Sequence, residues 1–140
     1  MRMTKTFRAV LIDPTRCTIE VHHVAGTHEA TSELLGCRYL EHFRIADHED
    51  SWDYGWVDDR GLARGEPIDA FKFMGNRDPV AGRCLLIGVS KTTGATVDAQ
   101  FPLDILHSVV EWLGKIKPEV TWDKHDNVER AIVTYSRVKA

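Results

Sequence analysis

Apolar residues along this chain fall into short runs of two kinds. In FRAVLID, Phe7 to Asp13, branched side chains follow one another until Pro14 stops them, which predicts a buried strand ending in a turn. CTIEVHHV alternates instead, with Cys17, Ile19 and Val21 on one side and Thr18, Glu20 and His22 on the other. That period of two predicts a strand with one wet face, so the chain opens on a hairpin. In GTHEATSELLG the period lengthens: Ala30 and Leu34 are four apart, Thr27 suits an N-cap, Glu29 sits where the helix dipole favours an acid, and Gly36 suits a left-handed C-terminal residue. A short helix over residues 27–35 is predicted.

CRYLEHFRIA returns to strand alternation, Tyr39, Glu41 and Phe43 against Leu40, His42 and Arg44. The stretch SWDYGWVDDRGLARGEPIDAFKFMG then reads as a strand, a turn at Asp58 to Gly61, and a return leg. RCLLIGVS, Arg83 to Ser90, is the most apolar run and predicts a central strand. PLDILHSVVEWLGKI carries Leu103, Leu106, Val109, Val110 and Leu113 as one stripe, with Pro102 suited to the first turn and Gly114 to the end; it predicts a helix over residues 103–113. EVTWDKHDNVERAIVTYSRV predicts two strands around a turn at Lys124 to Asn127. The expected fold is therefore α+β, one domain over residues 1–140, with a mostly antiparallel sheet and two helices.

A chain of 140 residues with 43% hydrophobic and 28% charged residues is long enough to bury a core without staples. It has no apolar run of the roughly 18 residues that a membrane span needs, and no apolar signal core precedes the first strand. A cytoplasmic protein with no membrane association is expected. Cys17, Cys37 and Cys84 form no C-x-x-C pair, and all three read as small buried hydrophobes.

Charge is segregated beneath a net value of −3. Between Ala46 and Asp59 stand Asp47, Glu49, Asp50, Asp53, Asp58 and Asp59 with no Lys or Arg; from Arg60 to Lys91, Arg60, Arg64, Lys72, Arg77, Arg83 and Lys91 outnumber Glu66, Asp69 and Asp78. Such juxtaposed patches orient a charged partner, but the balance excludes a general nucleic-acid binder. It is also too weak for an extended mimic of duplex phosphate, which carries about one charge per 1.7 Å.

Three stretches, taken in order, resemble a known family. AVLIDPTRCTIEVHHV, SELLGCRYLEHF, and WVDDRGLARGEPID followed by DPVAGRCLLIG are similar to the opening strand ending in Asp-Pro, the helix–glycine–strand, and the acidic-glycine turn with its closing glycine and apolar strand of domain of unknown function 3846, an uncharacterised family of phages, plasmids and bacteria. The resemblance covers residues 7–88; residues 89–140 read as a C-terminal helix and hairpin extension. Asp69 stands where the family pattern has Asn, and Cys37-Arg38 interrupts its Gly-Gly. The resemblance implies a phage-related context and no established reaction.

On this reading the chain is a small binding or accessory protein without a cofactor, acting by contact with a protein or small-molecule partner through Asp53, Trp56, Asp58, Asp59, Arg60 and Arg64. A monomer or a homodimer is expected, since sheet edges invite pairing. Trp52, Tyr54 and Trp56 share one face of a strand, expected to be core. The alternative is a metal-dependent enzyme built on the cluster at residues 42–53, with His42, His48 and Asp53 as ligands and Asp47 and Asp50 beside them, although the spacing matches no established ligand motif. GVSKTTG is a turn that could cradle a phosphate only if its amides converge. Cys84 lies in the most apolar run and reads as inert.

Overall fold

A computed structural model describes residues 5–62 and 64–138. Two antiparallel sheets carry two short helices. Strands β1 (Thr6–Asp13) and β2 (Thr18–Ala25) form the opening hairpin. Helix α1 (His28–Leu35) starts where the Thr27 hydroxyl accepts the Ala30 N–H and ends at Gly36, whose φ of 68° is the left-handed conformation that glycine adopts without cost. β3 (Leu40–Asp47) and β4 (Ser51–Asp58) are the next hairpin, so the acidic run Asp47 to Asp50 lies at its turn and Asp58 at its far end.

The predicted return leg is not one. β5 (Ile68–Phe73) leaves β4 and joins the second sheet, because β4 already has both neighbours: β3 on one side and β7 (Cys84–Ser90) on the other. The first sheet runs β2-β1-β7-β4-β3, with β8 (Thr96–Val97) paired to β7. β7 is thus the central strand predicted from its apolar run. The second sheet runs β10-β9-β5-β6, from β6 (Val80–Ala81), β9 (Val110–His125) and β10 (Val128–Arg137).

Helix α2 (Leu103–Val109) is shorter than the predicted 103–113. The stripe that continues through Val110 and Leu113 suits either element, and pairing decides: Val110 lies opposite Phe73 and Trp112 opposite Phe71 in the β5–β9 ladder. Gly114, expected to end the helix, instead takes φ 70° beside a register shift at Ala70/Phe71. The residues 89–140, read as an extension, therefore supply the strand that β5 pairs with. No described helix is long and apolar enough to cross a membrane.

The core lies between the sheets: Val10, Ile12, Ile19, Cys84 and Leu86 meet Phe71, Phe73 and Leu106. A second cluster, Ala9, Leu11, Leu85 and Ile87, lies on the other face of the first sheet under Leu34 and Leu35 of α1. Trp52, Tyr54 and Trp56 occupy that outer face, half-buried, and only Trp56 packs into the cluster; this corrects the expectation that they line the core. The inward positions of β4 are Ser51, Asp53 and Gly55, because the space is tight there: a Cβ at Gly55 would lie 2.6 Å from Ile45 Cδ1. The cysteines also divide, with Cys84 buried, Cys37 intermediate and Cys17 exposed, so only one fits the buried reading fully.

Close strand approach is tightest at Gly88, where an added Cβ would meet the Asp98 carbonyl oxygen at 2.5 Å. Backbone must move to admit it. Gly88→Ala is expected to cost about 1–3 kcal/mol in urea unfolding; a wild-type midpoint would show that β8 yields freely.

Candidate functional site

The end of β1 carries Asp13, buried, whose carboxylate accepts the N–H groups of Thr15 at 3.0 Å and Arg16 at 3.4 Å. This is the local bonding by which an Asp-Pro segment turns. Arg83 reaches the same carboxylate at 3.5 Å and donates to the Leu34 carbonyl at 3.2 Å, tying the end of β1 to the last turn of α1. From the second sheet, Asp69 accepts the Thr15 hydroxyl at 3.0 Å and stands opposite Lys115 in the ladder. The Gly82 N–H donates to the Asp69 carbonyl at 2.9 Å. Asp58, at the end of β4, pairs with Arg64 at 2.8 Å.

These groups surround one cleft of about 350 Å³, lined by Thr15, Leu35, Gly36, Asp58, Arg64, Pro67, Ile68, Asp69, Ala81, Gly82, Arg83 and Lys115. Its walls come from both sheets, with Asp58 of β4 in the first and Ile68, Ala81 and Lys115 in the second. Its two arginines each lie beside a carboxylate, yet their side chains are each 49% exposed, so their remaining donors face water. The cleft can present fixed donors and acceptors together. A neighbouring hollow of about 270 Å³ is acidic, with Glu41, Asp58, Asp59 and Asp78 around Phe43, Val57 and Val80.

Of the six residues predicted for contact, Asp58 and Arg64 line the cleft and Asp59 the acidic hollow. Arg60 stacks over the Tyr39 ring at 4.6 Å, and its N–H donates to Asp58 at 3.0 Å in the predicted turn. Trp56 faces α1 on the outer face, beside Gly26 and Thr31. Asp53 is wholly buried on the inner face. Its carboxylate accepts the N–H of Phe101 at 2.8 Å and of Gln100 at 3.2 Å, with His48 Nε2 at 3.0 Å, so it is a structural latch.

Of the three proposed metal ligands, His48 and Asp53 meet at 3.0 Å, and His42 does not join them. His42 lies against the Tyr54 and Trp56 rings, at 5.2 and 4.6 Å, on the face of the sheet opposite to Asp53. Side chains on opposite faces of a sheet cannot grip one ion, and the β3–β4 pair separates His42 from Asp53 in that way. Among the described residues no three His, Cys, Asp or Glu side chains are placed so as to hold one metal ion. Asp47 is bound by Lys91, which also donates to the His48 carbonyl; that pairing holds the Asp47 carboxyl below its usual range. In GVSKTTG the N–H groups of Thr92 and Thr93 turn inward to the Ser90 hydroxyl, at 3.3 and 3.2 Å, so they do not form an anion cradle.

Sequence reasoning missed Thr15, Arg83 and Lys115 as neighbours of Asp58 and Arg64. The available signal was the set of stretches used for the resemblance: Asp13 and Thr15, Leu35 and Gly36, Asp58 to Asp69, and Ala81 to Arg83 all meet at this cleft. Comparison of the chain with protein-family models, curated proteins and solved structures gives no match.

Two measurements follow from this geometry. Asp53→Ala leaves two interior amides without their acceptor and is expected to cost about 2–4 kcal/mol in urea unfolding; an unchanged midpoint would remove the latch. Burial, then the Asp58 and Asp59 carboxylates, raise the Cys37 thiol against a smaller opposing pull from Arg64, and burial pushes Cys84 far up. Thiolate is the reactive form. Under mildly alkaline labelling with iodoacetamide, Cys17 should react first, Cys37 more slowly and Cys84 only after unfolding; prompt labelling of Cys84 in the folded protein would contradict its burial.

Proposed function

We propose that this chain is a small non-enzymatic binding or accessory protein, related to domain of unknown function 3846, whose contact site is the cleft between Thr15, Asp58, Arg64, Asp69, Arg83 and Lys115. The single observation that carries this reading is convergence: stretches far apart in sequence, and grouped beforehand by their resemblance, bring their polar residues to one cleft. Packing alone gives no reason for so many charged side chains to gather there. In the acidic run at Asp47 to Asp50, the Asp47 carboxylate is engaged by the Lys91 ammonium and the Asp50 carbonyl by the Lys91 N–H.

The chemistry favours a ligand or partner loop that presents a carboxylate beside hydrogen-bond donors. The Arg64 side chain is 49% exposed, so its outward guanidinium donors can meet an incoming carboxylate while Asp58 keeps its own contact. The guanidinium fork then binds it bidentately. Asp69 and Thr15 remain to accept or donate at the other wall.

The test is a native mass spectrum of gently purified protein together with thermal-shift titrations against citrate, phosphate and acidic dipeptides. A retained adduct, or stabilisation by a carboxylate, should fall at least about tenfold in occupancy or affinity in an Arg64→Ala, Lys115→Ala double variant. Equal binding by wild type and variant would displace the site from this cleft, and a bare wild type that no probe stabilises would refute a small-molecule ligand of this chemistry.

A further inference from the structure

Beyond the pair Ile68–Ile116, β9 loses its second neighbour, and β9 with β10 continues as a two-stranded ribbon to the turn at Asp126-Asn127. A ribbon of this kind has little stability of its own in water. One of its faces is apolar: Pro118, Val120 and Trp122 stand opposite Tyr135, Val133 and Ala131. Trp122 is 72% exposed.

The backbone decides which side of the ribbon is open. Asp126 and Asn127 have φ of 49° and 65°, a two-residue turn of the kind that closes tight hairpins, so His125–Val128 is the hydrogen-bonded closing pair. Alternation along the ladder then points the N–H and C=O groups of residues 129, 131, 133, 135 and 137 away from β9. On the far side of β9 the outward position nearest the second sheet is Pro118, which has no N–H to offer, so that edge is guarded. β10 has no proline, glycine or register shift along its ten residues. The other edges are protected: β3 is broken by a register shift at Arg44/Ala46, β6 has two residues, and β2 has both helices against it.

We propose that β10 pairs antiparallel with β10 of a second copy, centred on Val133, so that two four-stranded sheets become one continuous sheet. Charge selects this occupant and this register. With Val133 opposite its own copy, Ala131 meets Tyr135 on the apolar face and Glu129 meets Arg137, twice over by symmetry. A shift by two residues in either direction puts Glu129 against Tyr135 or Arg137 against Ala131 and loses both ion pairs. In the isolated chain Arg137 has only an exposed contact to Glu111 at 3.8 Å, which is cheap to exchange.

Sedimentation velocity from micromolar to submillimolar concentration tests this. Wild type should dimerise. Val133→Pro removes an outward N–H without touching the β9 ladder and should raise the dissociation constant by at least about tenfold, with an unchanged far-ultraviolet spectrum. Glu129→Arg should weaken the dimer by about the same factor, and adding Arg137→Glu should restore it. Should Val133→Pro fail to fold, the charge series decides alone. A wild type that stays monomeric, a dimer indifferent to the folded Val133→Pro variant, or a double swap that does not restore association would each overturn the proposal, the first leaving a foreign extended peptide as the occupant to seek.

Discussion

Burying the Asp53 carboxylate between two sheets is costly unless its oxygens find donors, and the chain supplies three donors from two segments. The N–H groups of Gln100 and Phe101 come from the segment that crosses toward the second sheet, and His48 comes from the β3–β4 turn. One side chain therefore fixes where the crossing segment lies on the inner face of the first sheet. From that anchor Leu103 and Leu106 of α2 reach the core, and β9 begins at the right height to pair with β5. The second sheet takes its register from a polar contact made in the first.

Aromatic pairing then takes over from the latch. Phe71 and Phe73 lie edge-on at 5.2 Å, and Phe71 faces Trp112 at 6.2 Å across the ladder. Such contacts suit strand better than helix. This is why the predicted helix stops at Val109: its stripe of Val110 and Leu113 satisfies a helical period, but a helix there would leave Phe71 and Phe73 without their strand partner. The polar cleft takes its walls from both sheets. Buried Asp13 is neutralised there by Arg83 and by local N–H groups rather than by packing.

What the sequence made legible was local. Thr27 and Gly36 marked α1, the apolar run marked β7 as central, and the alternation after Glu119 marked the last hairpin. What it hid depended on partners distant in the chain. The face of Trp52, Tyr54 and Trp56 could not be assigned from period two alone, because both faces of the first sheet are partly covered and Gly55 must point inward against Ile45. Asp53 reads from the sequence as a contact or metal-binding acid; only the approach of residues 100 and 101 shows it as a buried latch. Asp58 and Arg64 are close in the chain and pair in the structure, but Thr15, Arg83 and Lys115 belong to other segments and no spacing rule joins them.

The cleft and the open edge share a segment. Lys115 stands on the cleft wall, and its carbonyl accepts the N–H of Val138 at 2.9 Å, one residue past the end of β10. Next to it Gly114 holds the left-handed conformation that lets β9 absorb its irregularity against β5. Conformational freedom at that glycine is lost only as far as its neighbours are held, and Val138 is the hold from the β10 side. A strand added along β10 would steady the run that ends in this bond, and with it the stretch of β9 that sets Lys115 opposite Asp69. Binding in the cleft and pairing at the edge would then favour each other through one short piece of β9, with the sign of the coupling set by ordering rather than by any new contact.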